Sequence, residues 1–386
     1  MISYLDHNAT TPIRPEVVDA MLPWLRDHYG NPNSVHSLGQ RARAAVERAR
    51  EQIAALLGAA DASEIVLTSC GSESDALAVA GAAWQASDET KGKRRKIVTT
   101  KIEHDAIRVL TGQLRRRGFT ALEAGCGAEG VVDAGELKAM LDDEAAVVSV
   151  MHANNETGVL QPVAEIAAAA RAAGALVHTD AVQSLGKIKI DAKALGVDLL
   201  AVSGHKVNAP KGVGALYVRR GVRLAPLVAG HQEKNRRGGT ENVASIVGFG
   251  LACELAGREL AVASPHALAL RKRIEAGVLR VRGARLNGEA AQRLPNTAHF
   301  SFDGLDGHHL VVALDLEGIC VSSGPACSSG ASMPSHVLTA MGVPAGLATG
   351  SMRVSVGWGS TDADADRLLA VLPKAVEKLR AAAVAA

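Results

Sequence analysis

The 386-residue chain is poor in aromatic residues: four Phe, three Tyr and three Trp make up 3% of it. Proteins that read nucleic acid by stacking on bases need such side chains. The two short basic runs, KGKRRK (91–96) and RRR (115–117), have none interleaved. They are read as a solvated turn and a helix end. An excess of one charge is also lacking. Lys plus Arg number 42 and Asp plus Glu 40, which removes the general electrostatic reason to expect nucleic acid or a membrane as a partner. No apolar run approaches the ~18 residues of a membrane-spanning helix. The opening MISYLDHNATTP lacks the basic-then-apolar order of a signal peptide. Cysteine is scarce: positions 70, 126, 253, 320 and 327 form an odd, scattered set with no CxxC. That argues against a disulfide framework or a zinc site, and for a reducing, cytoplasmic setting.

What is present is an ordinary globular composition, 47% hydrophobic and 21% charged, in a chain long enough for more than one core. From about 65 to 218, short β-branched runs alternate with amphipathic stretches. The predicted strands are EIVLTS (64–69), KIVTT (96–100), AVVSVM (146–151), ALVHTD (175–180), LLAVSG (199–204) and GALYVRR (214–220). Between them lie helical patterns such as VAEIAAAARAAG (163–174), and a long helix is expected over 33–58 after an Asn/Ser cap. Such alternation predicts an α/β fold with a mostly parallel sheet covered by helices. After a further helix at 243–260 the pattern changes. LPNTAHFSF (294–302), HHLVVALDLEG (308–318) and a terminal helix at 361–384 suggest a smaller α+β unit.

Ligands of open parallel sheets bind beyond the carboxyl ends of the strands, and here those ends carry unusual polar groups. Gly71 and Ser72 open a helix after the first strand, offering N–H groups and a hydroxyl to an anion, or only a helix cap. His104 follows the second strand, Asn154 and Asn155 a third, and Asp180 with Gln183 a fourth. Taken singly, each also reads as a packing, turn or capping residue. Ser203, His205 and Lys206 follow an apolar strand, where desolvation lowers a lysine's pKa and makes a nucleophilic amine. Together these residues supply the parts of a pyridoxal phosphate site: an amine for an imine, a carboxylate for a pyridine nitrogen, an imidazole and an anion nest. Cys327 stands in VSSGPACSSG, among loop-forming Gly and Ser that cannot pack a core.

The segments YLDHNATTP, YGNPNSVHSLG, SCGSESD, IEHDA, NNETGVLQP, HTDAVQSLGKI, SGHKVNAPKGVGALYVRRG, RRGGTENV, VSSGPACSSG and PSHVL resemble, in order and over nearly the whole chain, the motifs of the cysteine desulfurases. These belong to the class V aminotransferase group of fold-type I pyridoxal phosphate enzymes. The resemblance implies a large domain at 15–260 with a mainly parallel seven-stranded sheet, and a small domain made of 1–14 and 261–386. It implies Lys206 as the imine lysine and a phosphate site of Gly71, Ser72, Ser203 and His205, completed by Thr240 from the partner subunit of a homodimer. Asp180 would meet the pyridine nitrogen and Gln183 the phenolic oxygen. His104 would stack over the ring and take part in proton transfers. Asn155 would contact cofactor and substrate, and Arg353 the substrate carboxylate.

By the same resemblance Cys327 takes sulfur from L-cysteine, leaving L-alanine and an enzyme persulfide, which is also a transient ligand for iron. The sulfur then passes to an iron–sulfur scaffold or another acceptor protein. SCGSESD, NNETG and NAPKGVG look most like the nitrogen-fixation type, and the ending RAAAVAA lacks the longer tail of housekeeping members. Pro325 departs from the small residue usual two places before the thiol and narrows the backbone there. The alternatives are a selenocysteine lyase or another class V enzyme, and a silent scaffold on the same fold. Cys327 disfavours a plain aminotransferase, and the intact set of Lys206, Asp180, His104 and Cys327 disfavours the scaffold.

Overall fold

The computed structural model describes residues 2–324 and 334–385. Cys327 and Pro325 lie outside the described residues. A seven-stranded sheet is built from β1 (Ile65–Thr68), β2 (Lys96–Thr100), β3 (Thr120–Ala124), β4 (Ala145–Ser149), β5 (Leu176–Asp180), β6 (Leu199–Ser203) and β7 (Gly214–Val218). Its order is β1-β7-β6-β5-β4-β2-β3, parallel throughout except for β7, which runs antiparallel to both neighbours. Successive strand residues enter opposite cores, as the two-residue period requires. Val147 and Leu199 pack on one face of the sheet, Val148 and Leu200 on the other.

Helices cover both faces. They include α1 (Pro15–Arg26), α2 (Ser37–Leu57), α3 (Gly71–Glu89), α4 (Asp105–Arg116), α5 (Val163–Ala172) and α6 (Val243–Val278). The α2 start falls later than the sequence pattern suggests. His36, not an Asn or Ser, caps it by accepting from the Gly39 N–H, and Gly58 closes it at φ +67°. The helix expected at 243–260 continues to Val278, with Pro265 inside it. Its first half packs Phe249 and Leu255 into the sheet core. Leu270, Ile274 and Val278 belong to a second core with Leu5, Phe300, Phe302, Leu314 and Leu368. That second core also holds an antiparallel three-stranded sheet, β8 (Ala284–Leu286), β9 (Thr297–Phe302) and β10 (Ser351–Ser355), in the order β10-β9-β8. α7 (Gly307–Leu316) and α8 (Asp362–Ala385) cover it.

The N-terminal stretch ties the cores together. Ser3–Tyr4 pairs in parallel with Ile319–Cys320. His7 N–H then donates to the Ser355 carbonyl, and Thr11 N–H to that of His205. No described helix is long and apolar enough to cross a membrane.

Candidate active site

A cavity of about 580 Å³ opens at the carboxyl ends of β1, β4, β5 and β6, where β10 approaches from the second core. Gly71, Ser72, His104, Asn155, Asp180, Gln183, Ser203, His205, Lys206 and Arg353 all line it. Thr240 does not. It is exposed and lines a separate cavity of about 150 Å³ with Thr68, Ser69 and Arg237. The segment with Cys327 leaves the described chain at Gly324 and returns at Pro334, and both ends stand beside the cavity. Pro334 and His336 line it, and a Cβ on Gly324 would lie 3.3 Å from the Oε2 of Glu156, another lining residue.

Each position follows from local structure. α3 begins at Gly71 directly after β1. Its cap is the Cys70 sulfur, which accepts from the Glu73 N–H at 3.4 Å, so Ser72 sits in the first turn and does not cap. Gly71 is the residue that fits there. An added Cβ would come within 2.9 Å of Val182 Cγ2 and 3.2 Å of Ser203 Cβ. His104 caps α4, its Nδ1 accepting from the Ala106 N–H at 3.1 Å. A backbone N–H only donates, so the imidazole proton belongs on Nε2. Asp180 ends β5 and accepts from the Val182 N–H at 2.9 Å. Burial raises its carboxyl above the usual range, while His104, that N–H and Lys206 pull it back down.

Lys206 lies in the short helical turn after β6 and donates to the carbonyls of Asn8 (2.6 Å) and Ala9 (2.7 Å). The Asn8 carbonyl also accepts from Gln183 Nε2 at 3.0 Å. His205 meets Thr10 Oγ1 at 3.1 Å. Desolvation, with Lys206, Lys211 and Lys187 nearby, lowers its pKa to about 4, so it is neutral at physiological pH. Arg353 is 1% exposed. Its two terminal nitrogens are held by the Asn155 carbonyl (2.9 Å) and Asp6 (2.7 Å).

The sequence reading passed over several residues. Asn8 stood inside a quoted motif, yet much of its work is done by its main-chain carbonyl. Asp75, 2% exposed, lines the cavity one turn after Ser72. Glu103, fully buried, accepts from Thr100 Oγ1 (2.7 Å) and the Met151 N–H (3.0 Å). Burial pushes its carboxyl up to about 8; burial also raises that of Asp75, with Asp180 and Glu103 adding to the effect. His178, also fully buried, lies 3.4 Å from Asp75. The place of Glu103 in IEHDA and of Asp75 in SESD, among polar neighbours, gives no sign of such depth. Among the described residues, no three His, Cys, Asp or Glu side chains gather as a metal site.

Residues 3–368 match the aminotransferase class-V family, and the chain belongs to that family. Its similarity reaches one branch in particular. A cysteine desulfurase of Trichormus azollae is 47% identical over 382 residues, 98% of this chain and 94% of its own. The cysteine desulfurase NifS of Azotobacter vinelandii is 44% identical over 379 residues, 98% of this chain and 93% of that one. A NifS-like protein of known structure superposes with a TM-score of 0.90 at 37% identity, covering 98% of this chain and 100% of its own. The expected α/β fold with its mainly parallel seven-stranded sheet agrees with this neighbour.

The family works with pyridoxal 5′-phosphate, and the cavity residues fit it. Ser203 Oγ, Asn155 Oδ1 and Arg353 Nε are buried polar atoms without a hydrogen-bond partner. Leaving such atoms unpaired costs about 1–3 kcal/mol each, a penalty that a bound polar ligand removes. The tight approach of Gly71 to Ser203 leaves N–H groups at the start of α3 for a phosphate.

Proposed function

We propose that the chain is a cysteine desulfurase. It takes sulfur from L-cysteine through Cys327 and passes it to an iron–sulfur assembly protein, as a homodimer of the nitrogen-fixation type. The carrying observation is the convergence of Lys206, Asp180, Gln183, His104 and Arg353 on one cavity flanked by both ends of the Cys327 segment. Thr240 lies away from its own chain's cavity, which accords with a role in the partner subunit's site. The same reading divides the chain into a large domain, 15–260, and a small one, 1–14 with 261–386, and places the enzyme in the cytoplasm.

Lys206 holds the cofactor through its amine. Gly71, Ser72, Ser203 and His205 would hold the phosphate through N–H groups, hydroxyls and the imidazole. Asp180 would keep a proton on the ring nitrogen, and Gln183 would donate through Nε2 to the phenolic oxygen. Pyridoxal phosphate, when bound, supplies an electron sink for the substrate's Cα–H bond. His104, its proton at Nε2, would cover the cofactor ring and serve its proton transfers. Arg353 Nε, buried and unpartnered, takes the substrate carboxylate while Asp6 and the Asn155 carbonyl fix the rest of the guanidinium. The Cys327 thiolate attacks the substrate sulfur. An S–S bond forms, and the Cβ–S bond breaks with its electron pair left on the substrate carbon. Protonation there gives L-alanine and leaves a persulfide.

Purified protein given L-cysteine and a reductant should release alanine and sulfide in equal amounts. Without reductant, peptide mass spectrometry should find about 32 Da, one sulfur atom, on Cys327. Cys327→Ala should keep the cofactor's colour and lose sulfur transfer. Sulfur on Cys70 or Cys320 instead, or wild-type turnover by Cys327→Ala, overturns the assignment of the thiol.

A further inference from the structure

Behind Lys206 lies a second cavity, about 200 Å³, lined mostly by apolar groups and by the ammonium-bearing side chain of Lys187. This lysine stands four residues after Gln183, and its Nζ lies 3.0 Å from Gln183 Oε1. The placement is built into the chain. Gly186 adopts φ +70°, and a Cβ there would come within 2.7 Å of Val207 Cγ2. A left-handed turn that favours glycine and leaves no room for a Cβ beside Val207 thus precedes Lys187.

A primary amide can present either end, and crystallographic or chemical context must choose between them. Here the partners choose. Lys187 Nζ carries protons to donate whether charged or neutral, and the atom 3.0 Å from it is the amide oxygen. The Asn8 carbonyl accepts and does not donate, so the atom 3.0 Å from it is Nε2. We propose that Lys187 is a positioning residue: its Nζ fixes the Gln183 amide so that N–H, and not C=O, is offered to the phenolic oxygen of the cofactor. The inference rests on the reading of Gln183 given above. A reversed amide would set an oxygen against the phenolic oxygen, favouring its protonated form.

The groups facing Lys187 are predominantly cationic. Lys206 and Arg353 act on it across the site, and burial with these two lowers its pKa to about 7. His7 and His205 feel its charge from the N-terminal stretch and the β6 turn. The Arg14–Glu259 ion pair and His266 complete the charged lining of the rear cavity. Removing Lys187 therefore has two effects of the same sign on the bound cofactor. It frees the amide, and it removes a nearby positive charge that disfavours a protonated cofactor–lysine linkage.

The test is a pH titration of the cofactor's visible band in holoenzyme, with the pyridoxal phosphate Kd measured alongside. Gln183→Ala, Lys187→Met, the double variant and Lys187→Arg are compared. Lys187→Met is expected to raise the titration midpoint by about half to one pH unit and to weaken cofactor binding several-fold. In the Gln183→Ala background the same change should move the midpoint by less than half as much, because the shared amide is gone. Lys187→Arg, which keeps donor and charge, should restore most of the wild-type midpoint. An equal shift in both backgrounds, or none from Lys187→Met while Gln183→Ala shifts it, overturns the positioning role. No shift from Gln183→Ala itself overturns the underlying reading of Gln183, and this inference with it. Lys187→Ala supplies the same comparison if the methionine variant does not fold.

Discussion

The two ends of the cofactor cavity are made differently. At the end proposed for the ring nitrogen, Asp180, Asp75, Glu103 and His178 are 7%, 2%, 0% and 0% exposed, and Asp180 acts on both other carboxyls. At the end proposed for the phosphate, Ser72 is exposed and His205 partly so, and the polar groups on offer are N–H groups and hydroxyls at the start of α3 and the end of β6. One end works by depth. Burial raises the carboxyls of Asp75 and Glu103, and of the three acids Asp180 has the cationic neighbours that draw it back toward ionisation. The other end works by close backbone approach, which needs no charged side chain and stays open to solvent.

The harshest break of this contrast is Lys206→Ala, since Lys206 lines the cavity with residues of both ends. Turnover should fall by on the order of 10⁴-fold, and the visible cofactor band should vanish while circular dichroism stays that of a folded chain. Asp180→Ala attacks the buried end alone. A loss of about 10²–10³-fold in kcat is expected, and full activity with full occupancy would remove Asp180 from its role. Gly71→Val attacks the open end. Its side chain would press on Val182 and Ser203, and overpacking of about 1–3 kcal/mol should appear as a roughly ten-fold or greater rise in the pyridoxal phosphate Kd.

The mildest test sharpens the idea of depth. Glu103 holds its proton up to about pH 8 when folded, against an ordinary value of 4.5. Between these values the folded state binds the extra proton, so this group's share of stability falls as pH rises from 4.5 to 8. Glu103→Gln, which imitates the protonated acid, should flatten that slope. The variant should gain up to a few kcal/mol relative to the parent at pH 8.5 compared with pH 5, read from denaturant midpoints. Parallel pH profiles for parent and variant would mean that Glu103 does not carry the proton.

Strands with buried neighbours on both sides were legible in the sequence. KIVTT at 96–100 became β2 with no change of bounds, because its β-branched run is buried almost throughout. β3, TALEA, escaped notice. It is an edge strand, paired on one side, half polar and poor in β-branched residues. The length of α6 was hidden by Pro265, which reads as a stop in sequence. In the site, side chains at strand ends could be read because their types declare a chemistry. Asn8 could not, since its carbonyl receives both Lys206 and Gln183 and a carbonyl is the same in every residue. Glu103 could not either. It looks like a surface acid until the β4 end, through the Met151 N–H, closes over it.

The path of the N-terminal stretch bears on when such a protein becomes competent. Asn8 N–H is held by the Ser355 hydroxyl, a partner 347 positions along the chain, and Asn8 Nδ2 by Thr297, 289 positions away. During synthesis Asn8 leaves the ribosome long before either hydroxyl exists. The sheet and its helices can assemble from contacts made early, whereas the wall behind Lys206 must wait until β9 and β10 have been made and docked. A chain that stops short of β9 and β10 still carries Lys206 and the Asn8 and Ala9 carbonyls, but it lacks the two hydroxyls that fix Asn8 in place.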